Sequence, residues 1–335
     1  MGCLLLGCFH GLRPDIWLTD QTNEPSGSRI VSPSSKSADD PLSNVLDVLG
    51  ARVTRLTRLE AAGRWALSFP VIDRLKFVAL LRGTAWMVRP GHAPSPMRAG
   101  DVCLIGRTDY GIASDPTLPP RDGQQYFGDA GADAVRLGGD EVVSVGGTVT
   151  FDGDAARFLL NMLPDFMVVP GDAPGSDVVS TLLHLLSVEV ARPGLGHGIV
   201  CTRLADVLLV EAIRAHAAQV GPAATGWLGA LNDPRIGRAL AAFHADLAQP
   251  WTVAGLAGVA GMSRAAFSAD FTRRLGQPPM AYLRAWRLSV AHAALSRGTA
   301  PVADVAVSVG YASQSAFGQA FRRAYGTAPR RGTRE

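Results

Sequence analysis

The chain has no long hydrophobic run and few cysteines. Nowhere in its 335 residues do 18 apolar residues follow one another, so no transmembrane helix is expected. The four cysteines, Cys3, Cys8, Cys103 and Cys201, are scattered and form no CxxC pair, which excludes a disulfide framework and favours a reducing cytoplasm. The GxSxG, HExxH and phosphate-loop signatures are also missing, so nothing in the sequence indicates the enzyme classes that carry them.

What remains is the composition of a packed globular protein, with 47% hydrophobic and 18% charged residues. The length predicts two or three domains. Residues 1–40 stand apart, because serine, proline, asparagine and aspartate dominate residues 21–41 without any periodicity. We therefore expect residues 1–40 to be a disordered tail or an over-extended start.

The most informative feature is a helix-turn-helix pattern that occurs twice near the C-terminus. Each copy has a short apolar helix, a turn glycine and a second helix with two phenylalanines four residues apart. The glycines are Gly261 and Gly310, and the pairs are Phe267 with Phe271 and Phe317 with Phe321. Residues four apart share one face of a helix, so each pair is predicted to anchor the second helix on the first. The opposite face is small, polar and basic, which suits a helix lying in a major groove.

The charge distribution supports the same interpretation. Residues 250–335 contain eleven arginines and three acidic residues, a net charge of +8, whereas the preceding part carries 21 basic and 26 acidic side chains. The overall charge of +3 therefore conceals a basic C-terminal module on an acidic body. A basic module gains affinity for nucleic acid by releasing counterions from the phosphates, so this distribution favours a DNA-binding function.

The central part of the chain predicts an antiparallel β-barrel or jelly roll. Short segments of β-forming residues recur and are separated by Gly, Pro and Asp turns. They cover residues 52–59, 65–69, 75–81, 85–88, 101–105, 134–137, 142–145 and 148–151. A short helix at residues 41–50 precedes them.

Residues 97–102 form a turn leading into a strand that resembles the second conserved box of cupin barrels. Enzymatic cupins bind a divalent metal through His and Glu side chains from two such boxes. Residues 73–86 contain no His or Glu, and residues 100–115 contain no His. We therefore predict neither a metal site nor a cofactor, and a β-barrel enzyme with a helical appendage is the less favoured alternative.

A barrel without a metal can still hold a small molecule, so the aromatic residues of this part are candidates for an effector pocket. For each aromatic residue taken alone, filling the core is the favoured alternative, and Arg107 could merely face solvent. The candidates are Trp65, Phe69, Phe77, Trp86, Arg107 and Tyr110.

Two amphipathic helices are expected at residues 176–190 and 199–218. Their apolar stripes allow two interpretations, a dimer interface or packing on the chain's own barrel. A further helix including residues 240–247 is predicted to open the C-terminal module.

The chain as a whole resembles the AraC-type (AraC/XylS) transcriptional regulators with an N-terminal cupin-like sensor domain. The resemblance covers residues 41–331 and is most specific at residues 233–240, 250–253, 261–267, 278–283 and 309–317. It implies an α+β multidomain fold: a cupin-like β-barrel at 41–170, a helical linker at 171–225, and an all-α double helix-turn-helix at 232–331. It also implies a cytoplasmic regulator, more often an activator, that binds promoter DNA, a small-molecule effector and RNA polymerase.

The same resemblance assigns the residues that contact DNA. In this family the second helix of each copy enters the major groove, and successive groove segments lie on one side of the duplex. The matching positions are Arg264, Ala265, Ser268 and Thr272 in the first copy, and Gln314, Ser315, Gly318, Gln319 and Arg322 in the second. Helical spacing independently separates these positions from the phenylalanine anchors. No catalytic residue is predicted.

Overall fold

The computed structural model describes residues 40–128, 132–152, 156–192, 194–221, 224–298 and 300–330. The expected N-terminal tail, with Cys3 and Cys8, therefore lies outside the described residues except for Asp40. Within these ranges, no helix combines the length and apolar character needed to cross a membrane.

The described residues between the first helix and Val169 are mostly β-strand. The strands are β1 Arg52–Ala61, β2 Ala66–Phe69, β3 Leu75–Arg82, β4 Thr84–Val88, β5 Ser95–Arg98, β6 Val102–Ile105, β7 Tyr110–Ala113, β8 Arg121–Asp122, β9 Ala134–Leu137, β10 Val142–Thr150 and β11 Phe166–Val169. They form a six-stranded sheet in the order β11-β6-β3-β10-β1-β9 and a five-stranded sheet in the order β5-β4-β7-β2-β8. The pairings of β1 with β9 and β2 with β8 are parallel, and the other described pairings are antiparallel.

This architecture agrees with the predicted cupin-like barrel, but several strands differ from expectation. Residues 142–145 and 148–151 were expected to be two strands, and the structure has one continuous β10 instead. Gly146 and Gly147 do not form a turn, because β10 is paired along its length with β1 on one side and β3 on the other. The ring of Phe77 lies where a side chain on Gly147 would point, so glycine is needed there for packing. Strands β5, β7, β8 and β11 were not predicted.

The helices surround the barrel and form the C-terminal part. They are α1 Pro41–Val48, α2 Gln124–Phe127, α3 Ala156–Met162, α4 Asp177–Ala191, α5 His197–Val220, α6 Trp227–Asn232, α7 Ile236–Ala245, α8 Val253–Ala260, α9 Arg264–Leu275, α10 Pro279–Ser296, α11 Val302–Ser308 and α12 Gln314–Tyr325.

The side chains on the two faces of the six-stranded sheet belong to two different hydrophobic cores. Successive side chains of a strand point to opposite faces. On β3, Val78 and Leu80 belong to the core inside the barrel, which they share with the five-stranded sheet. Leu75, Phe77 and Ala79 belong to the core on the outer face. That outer core continues through α4 and α5 into α7, α8, α9 and α10.

Helix α3 connects the barrel to the C-terminal helices. Its Phe158 ring lies 4.8 Å from the Trp286 ring and 5.5 Å, edge-on, from the Tyr282 ring, centroid to centroid. Both of these residues lie on α10. The Arg297 guanidinium, just after α10, forms an ion pair of 3.3 Å with Asp152, just after β10. The barrel and the first helix-turn-helix therefore share one continuous apolar interior.

Helices α4 and α5 pack against each other and on the barrel. The buried stripe of α4 contains Leu182, Leu183 and Leu186, and α5 contacts β1 and β11. Leu185 and Val207 on their outer sides are about half exposed, at 46% and 47%. Packing on the barrel is therefore observed, and a dimer interface stays a prediction.

Truncation of Phe158 tests the connection between barrel and C-terminal helices. Phe158→Ala should lower the free energy of unfolding by roughly 3–5 kcal/mol, because a buried aromatic side chain is lost and a cavity is left. Urea unfolding followed by tryptophan fluorescence measures the change. The exposed neighbour Arg157 provides the control, since Arg157→Ala should change stability little. A small loss for Phe158→Ala would contradict the proposed connection.

A second prediction concerns His244, which stacks on Phe243 and lies 3.1 Å from the Tyr282 hydroxyl through its Nε2. Burial lowers the pKa of His244 to about 3, whereas an unfolded histidine titrates near a pKa of about 6.5. As the pH falls below about 6.5, His244 therefore becomes protonated in the unfolded chain but stays neutral in the folded one. Between about pH 6.5 and about pH 3 the free energy of unfolding then decreases by up to about 1.4 kcal/mol per pH unit.

His244→Phe should remove this contribution. Urea unfolding at about pH 7.5 and about pH 5.5 should show a stability difference smaller than in the wild type by about 1.4 kcal/mol. An equal pH dependence in both proteins would show that His244 is not held neutral.

Candidate nucleic-acid interface and barrel cavity

The first helix-turn-helix consists of α8 and α9, and a side chain caps the N-terminus of each helix. Thr252 accepts a hydrogen bond from the Gly255 amide at 3.0 Å, and Ser263 accepts one from the Ala266 amide at 3.2 Å. Between the helices, Gly261 has a φ of 66°, the left-handed conformation that favours glycine. Such caps satisfy amides that have no partner within the helix and fix where each helix begins.

The second helix-turn-helix, α11 and α12, has the same turn glycine and a serine cap on its second helix, whereas α11 begins after Pro301 without a side-chain cap. Ser313 caps α12 by accepting from the Ala316 amide at 3.2 Å, and Gly310 has a φ of 79°. A side chain on Gly310 would also collide with the Arg287 guanidinium and the Leu247 carbonyl. Arg287 itself donates to that carbonyl at 2.6 Å. The turn is therefore fitted against α10 and the segment after α7.

The phenylalanine anchors are buried, which confirms the prediction made from their spacing. Phe267, Phe271 and Phe317 are fully buried and Phe321 is 4% exposed. The two rings of each pair lie 5.5 Å and 5.6 Å apart. Phe267 and Phe271 belong to the core shared with the barrel, whereas Phe317 and Phe321 belong to a separate core with Leu288, Leu295 and Val305.

The nine predicted DNA-contacting residues avoid the buried faces of α9 and α12. Exposed ones are Arg264, Ala265, Gln314, Ser315, Gln319 and Arg322, and half-buried ones are Ser268, Thr272 and Gly318. The Thr272 hydroxyl donates to the Ser268 carbonyl at 2.7 Å, so its methyl group is the part left for an outside contact. We call α9 the first recognition helix and α12 the second recognition helix.

Not all of the C-terminal arginines lie on this surface. Arg274 is only 10% exposed and forms an ion pair of 2.8 Å with Asp233, which is equally buried. Asp233 also accepts hydrogen bonds from the Arg235 and Ile236 amides at 2.9 Å. Burial acts to raise the pKa of Asp233, but these amides and the charge of Arg274 outweigh it and lower the pKa. Arg274 and Asp233 thus fix the first recognition helix to the start of α7.

A small cavity of about 90 Å³, partly open to solvent, lies in the barrel between its two sheets. Of the six predicted effector-pocket residues, Phe69, Phe77 and Tyr110 border it, but the Phe77 ring belongs to the core on the outer face of the six-stranded sheet. The Phe69 and Tyr110 rings stack at 5.0 Å. Among the described residues, no group of three or more His, Cys, Asp or Glu is arranged to hold a metal.

The other three candidates do not line this cavity. Trp65 is buried elsewhere in the barrel core. Trp86 lies between the inward-facing Ala85 and Met87, so it points to the outer face of β4. Arg107 is exposed.

The prediction missed the polar residues of the lining. Arg55, Thr57, Lys76, Ser144 and Thr148 all contribute to it. They were detectable in principle, because they alternate with outward-facing residues on β1, β3 and β10. A second cleft of about 580 Å³ lies on the outer side of the five-stranded sheet, beside Ala66, Ser68 and Gly111.

Comparison with known proteins gives matches over nearly the whole described chain. A cupin family model matches residues 40–218, and a helix-turn-helix domain model matches residues 256–334. An AraC-like transcription regulator of Streptomyces lividans is 37% identical over 87% of this chain and 96% of its own length. The HTH-type transcriptional regulator AlkR of Acinetobacter baylyi is 28% identical over 87% of this chain and 98% of its own.

A similarity to a solved structure is much weaker. Fatty-acid-bound ToxT from Vibrio cholerae covers 83% of this chain and 92% of that chain, with 14% identity and a TM-score of 0.33.

Truncation of the anchors should affect the two helix-turn-helix units differently. Phe321→Ala should destabilise only α11 and α12, by roughly 3–5 kcal/mol, because their core is separate. Phe271→Ala should destabilise the core that includes the barrel. Hydrogen exchange on each variant distinguishes the two cases. Loss of protection over the same residues in both variants would contradict the separation of the cores.

Proposed function

The chain belongs to the AraC family of transcription regulators, and on this basis we propose that α9 and α12 read consecutive major-groove segments of promoter DNA under the control of an effector in the barrel. The chain is a DNA-binding transcription regulator rather than an enzyme. The observation that carries the proposal is the duplication itself: two helices, each pinned by a buried phenylalanine pair, keep their opposite faces open to solvent.

The exposed residues differ in what they can recognise. The amides of Gln314 and Gln319 match the donor and acceptor edge of adenine, and Arg264 or Arg322 can bind guanine or a phosphate. Ala265 and the Thr272 methyl group suit contact with a thymine methyl. Most base discrimination then comes from the second recognition helix, and the first contributes mainly position and shape.

The remaining roles follow from the family and complete the proposal. We assign the barrel to residues 41–170, the helical linker to 171–225 and the DNA-binding module to 232–331. Activation through contact with RNA polymerase, dimerisation through α4 and α5, and action in the cytoplasm are parts of the same proposal. The exposed Leu185 and Val207 support the dimer contact, because α4 and α5 already pack their other sides on the barrel.

The assignment of Gln314 and Gln319 can be tested with the full-length protein. Gel shifts on the DNA upstream of its own gene should show binding that weakens steeply as salt rises. Gln314→Ala and Gln319→Ala should each reduce the preference for the best site over single-base variants by about 1–3 kcal/mol. Binding to unrelated DNA should change little.

Gln125→Ala provides the matched control, since this exposed glutamine lies on α2 of the barrel. It should leave both affinity and preference unchanged. If base preference survives both substitutions on α12, the assignment of the second recognition helix is wrong.

A further inference from the structure

Lys76 is an unusual residue in this chain. The sequence contains only two lysines, Lys36 and Lys76, against thirty arginines. Lys76 is on β3, in the alternating set with Val78 and Leu80 that faces the barrel interior, and it lines the cavity. A lysine at such a position must remove a strongly hydrated ammonium group from most of its water, which costs free energy.

No negative charge compensates Lys76 among the described residues. The described residues of the cavity lining include no aspartate or glutamate, and no ion pair of the described chain involves Lys76. Burial raises the pKa of the Tyr110 hydroxyl, so this neighbour is neutral. The ammonium nitrogen instead lies 5.5 Å from the ring centroids of both Phe69 and Tyr110.

The second cation of the cavity is already engaged. Arg55 donates through Nε to Asp133 at 2.8 Å and through Nη1 to the Phe127 and Gly128 carbonyls at 2.9 and 3.0 Å. These contacts hold α2 beside the cavity, where Gln124 and Phe127 form part of its wall. The pKa of Lys76 is lowered by its burial and by the charges of Arg74 and Arg55. An anion beside Lys76 would favour the ammonium form and so offset both the burial and the repulsion from these arginines.

The space next to the ammonium has both polar and apolar walls. Thr57 and Thr148 line the cavity, and Thr148 is the residue of β10 that pairs with Lys76. Leu59, Leu67, Val78 and Ile112 supply apolar surface. A volume of about 90 Å³ is smaller than the roughly 150 Å³ of a cavity that holds benzene. A molecule of about two to four carbon atoms is therefore enough to fill it.

Building on the proposed role of the barrel as a sensor, we propose that the effector is a short-chain carboxylate, paired with the Lys76 ammonium. Its carbon chain lies between Leu59, Leu67 and Ile112. The arrangement explains why a cation is kept where a neutral side chain would cost less. A charge-assisted hydrogen bond inside a poorly hydrated cavity is stronger than one at the surface, so a small molecule with few contacts can still bind specifically.

Titration calorimetry on the full-length protein at constant ionic strength tests the proposal with acetate, propionate and butyrate. Their neutral amides, propionamide and butyramide, serve as the uncharged probes. We expect the carboxylates to bind at least about tenfold more tightly than the amides, since one lost charge-assisted bond corresponds to about a tenfold change or more. Lys76→Met should lose this binding, and Arg98→Met, which removes an exposed charge from β5, should retain it.

Two further measurements keep the result interpretable. Without ligand, Lys76→Met should melt at the same temperature as the wild type or higher, because a half-buried cation with no described counter-charge is removed. With lysine labelled by carbon-13 at Cε, the wild type gives two lysine signals, and Lys76→Met identifies that of Lys76. Adding butyrate should raise the pKa of this group, because a neighbouring carboxylate favours the ammonium form.

The proposal is overturned by any of four results: equal binding of amides and carboxylates, unchanged binding by Lys76→Met, octanoate binding as tightly as butyrate, or no carboxylate binding at all. Gel shifts on the same samples show whether such a result concerns only the effector or also the proposed DNA-binding function. A protein that binds its promoter DNA but no carboxylate refutes only the effector class. A protein that binds no DNA refutes the role of the recognition helices.

Discussion

The continuous apolar interior between the six-stranded sheet and the C-terminal helices is the constraint on which the arrangement of this protein depends. Phe158 of α3 enters the aromatic group formed by Phe243, Tyr282 and Trp286, and no water layer separates these buried rings. Because packed interiors resist small displacements, the barrel and the first recognition helix behave as one body. The second recognition helix rests on its own core and is linked to that body through α10 and the contacts of Arg287.

The same sheet links the cavity to this interior. On β3, Lys76 faces the cavity, and the next residue, Phe77, faces the outer core that continues to α10. A molecule that attracts the Lys76 ammonium therefore acts on a strand that also supports the helices of the DNA-binding module. Regulation by the proposed effector needs no long series of contacts, since a single strand, β3, lies between the cavity and the outer core. The buried pair of Arg274 and Asp233 joins the start of α7 to the first recognition helix.

Sequence reasoning was most successful for helices in which the periodic residues all lie on one face and that face is buried. The burial of Phe267, Phe271, Phe317 and Phe321 followed from their spacing, because one face of each helix packs and the other does not. The cavity was harder to predict, since aromatic character does not say which face of a strand a residue occupies. Trp86 lies on the opposite face of β4 from the cavity. Lys76 was overlooked, although the alternation of β3 put it on the inward face.

Turns and edge strands exposed another limit of local patterns. Gly146 and Gly147 resemble a turn in sequence, but pairing on both sides of β10 and the ring of Phe77 keep them extended. Strand β5 contains Pro96 and was not predicted, because proline is tolerated in a strand only at the edge of a sheet, which is where β5 lies. Arg274 was counted with the basic surface, yet tertiary contacts bury it. Each of these errors came from a partner distant in sequence.

Helix α10 has a consequence for the DNA sites that such a protein can use. Its 18 residues correspond to a rod of about 27 Å at 1.5 Å per residue, buried along much of its length. Removing one residue would turn whatever follows by about 100°, away from the strand of duplex it had faced. In the proposed binding mode, substitutions on α9 and α12 can therefore alter which bases are preferred, whereas the length of α10 sets the interval between the two groove segments.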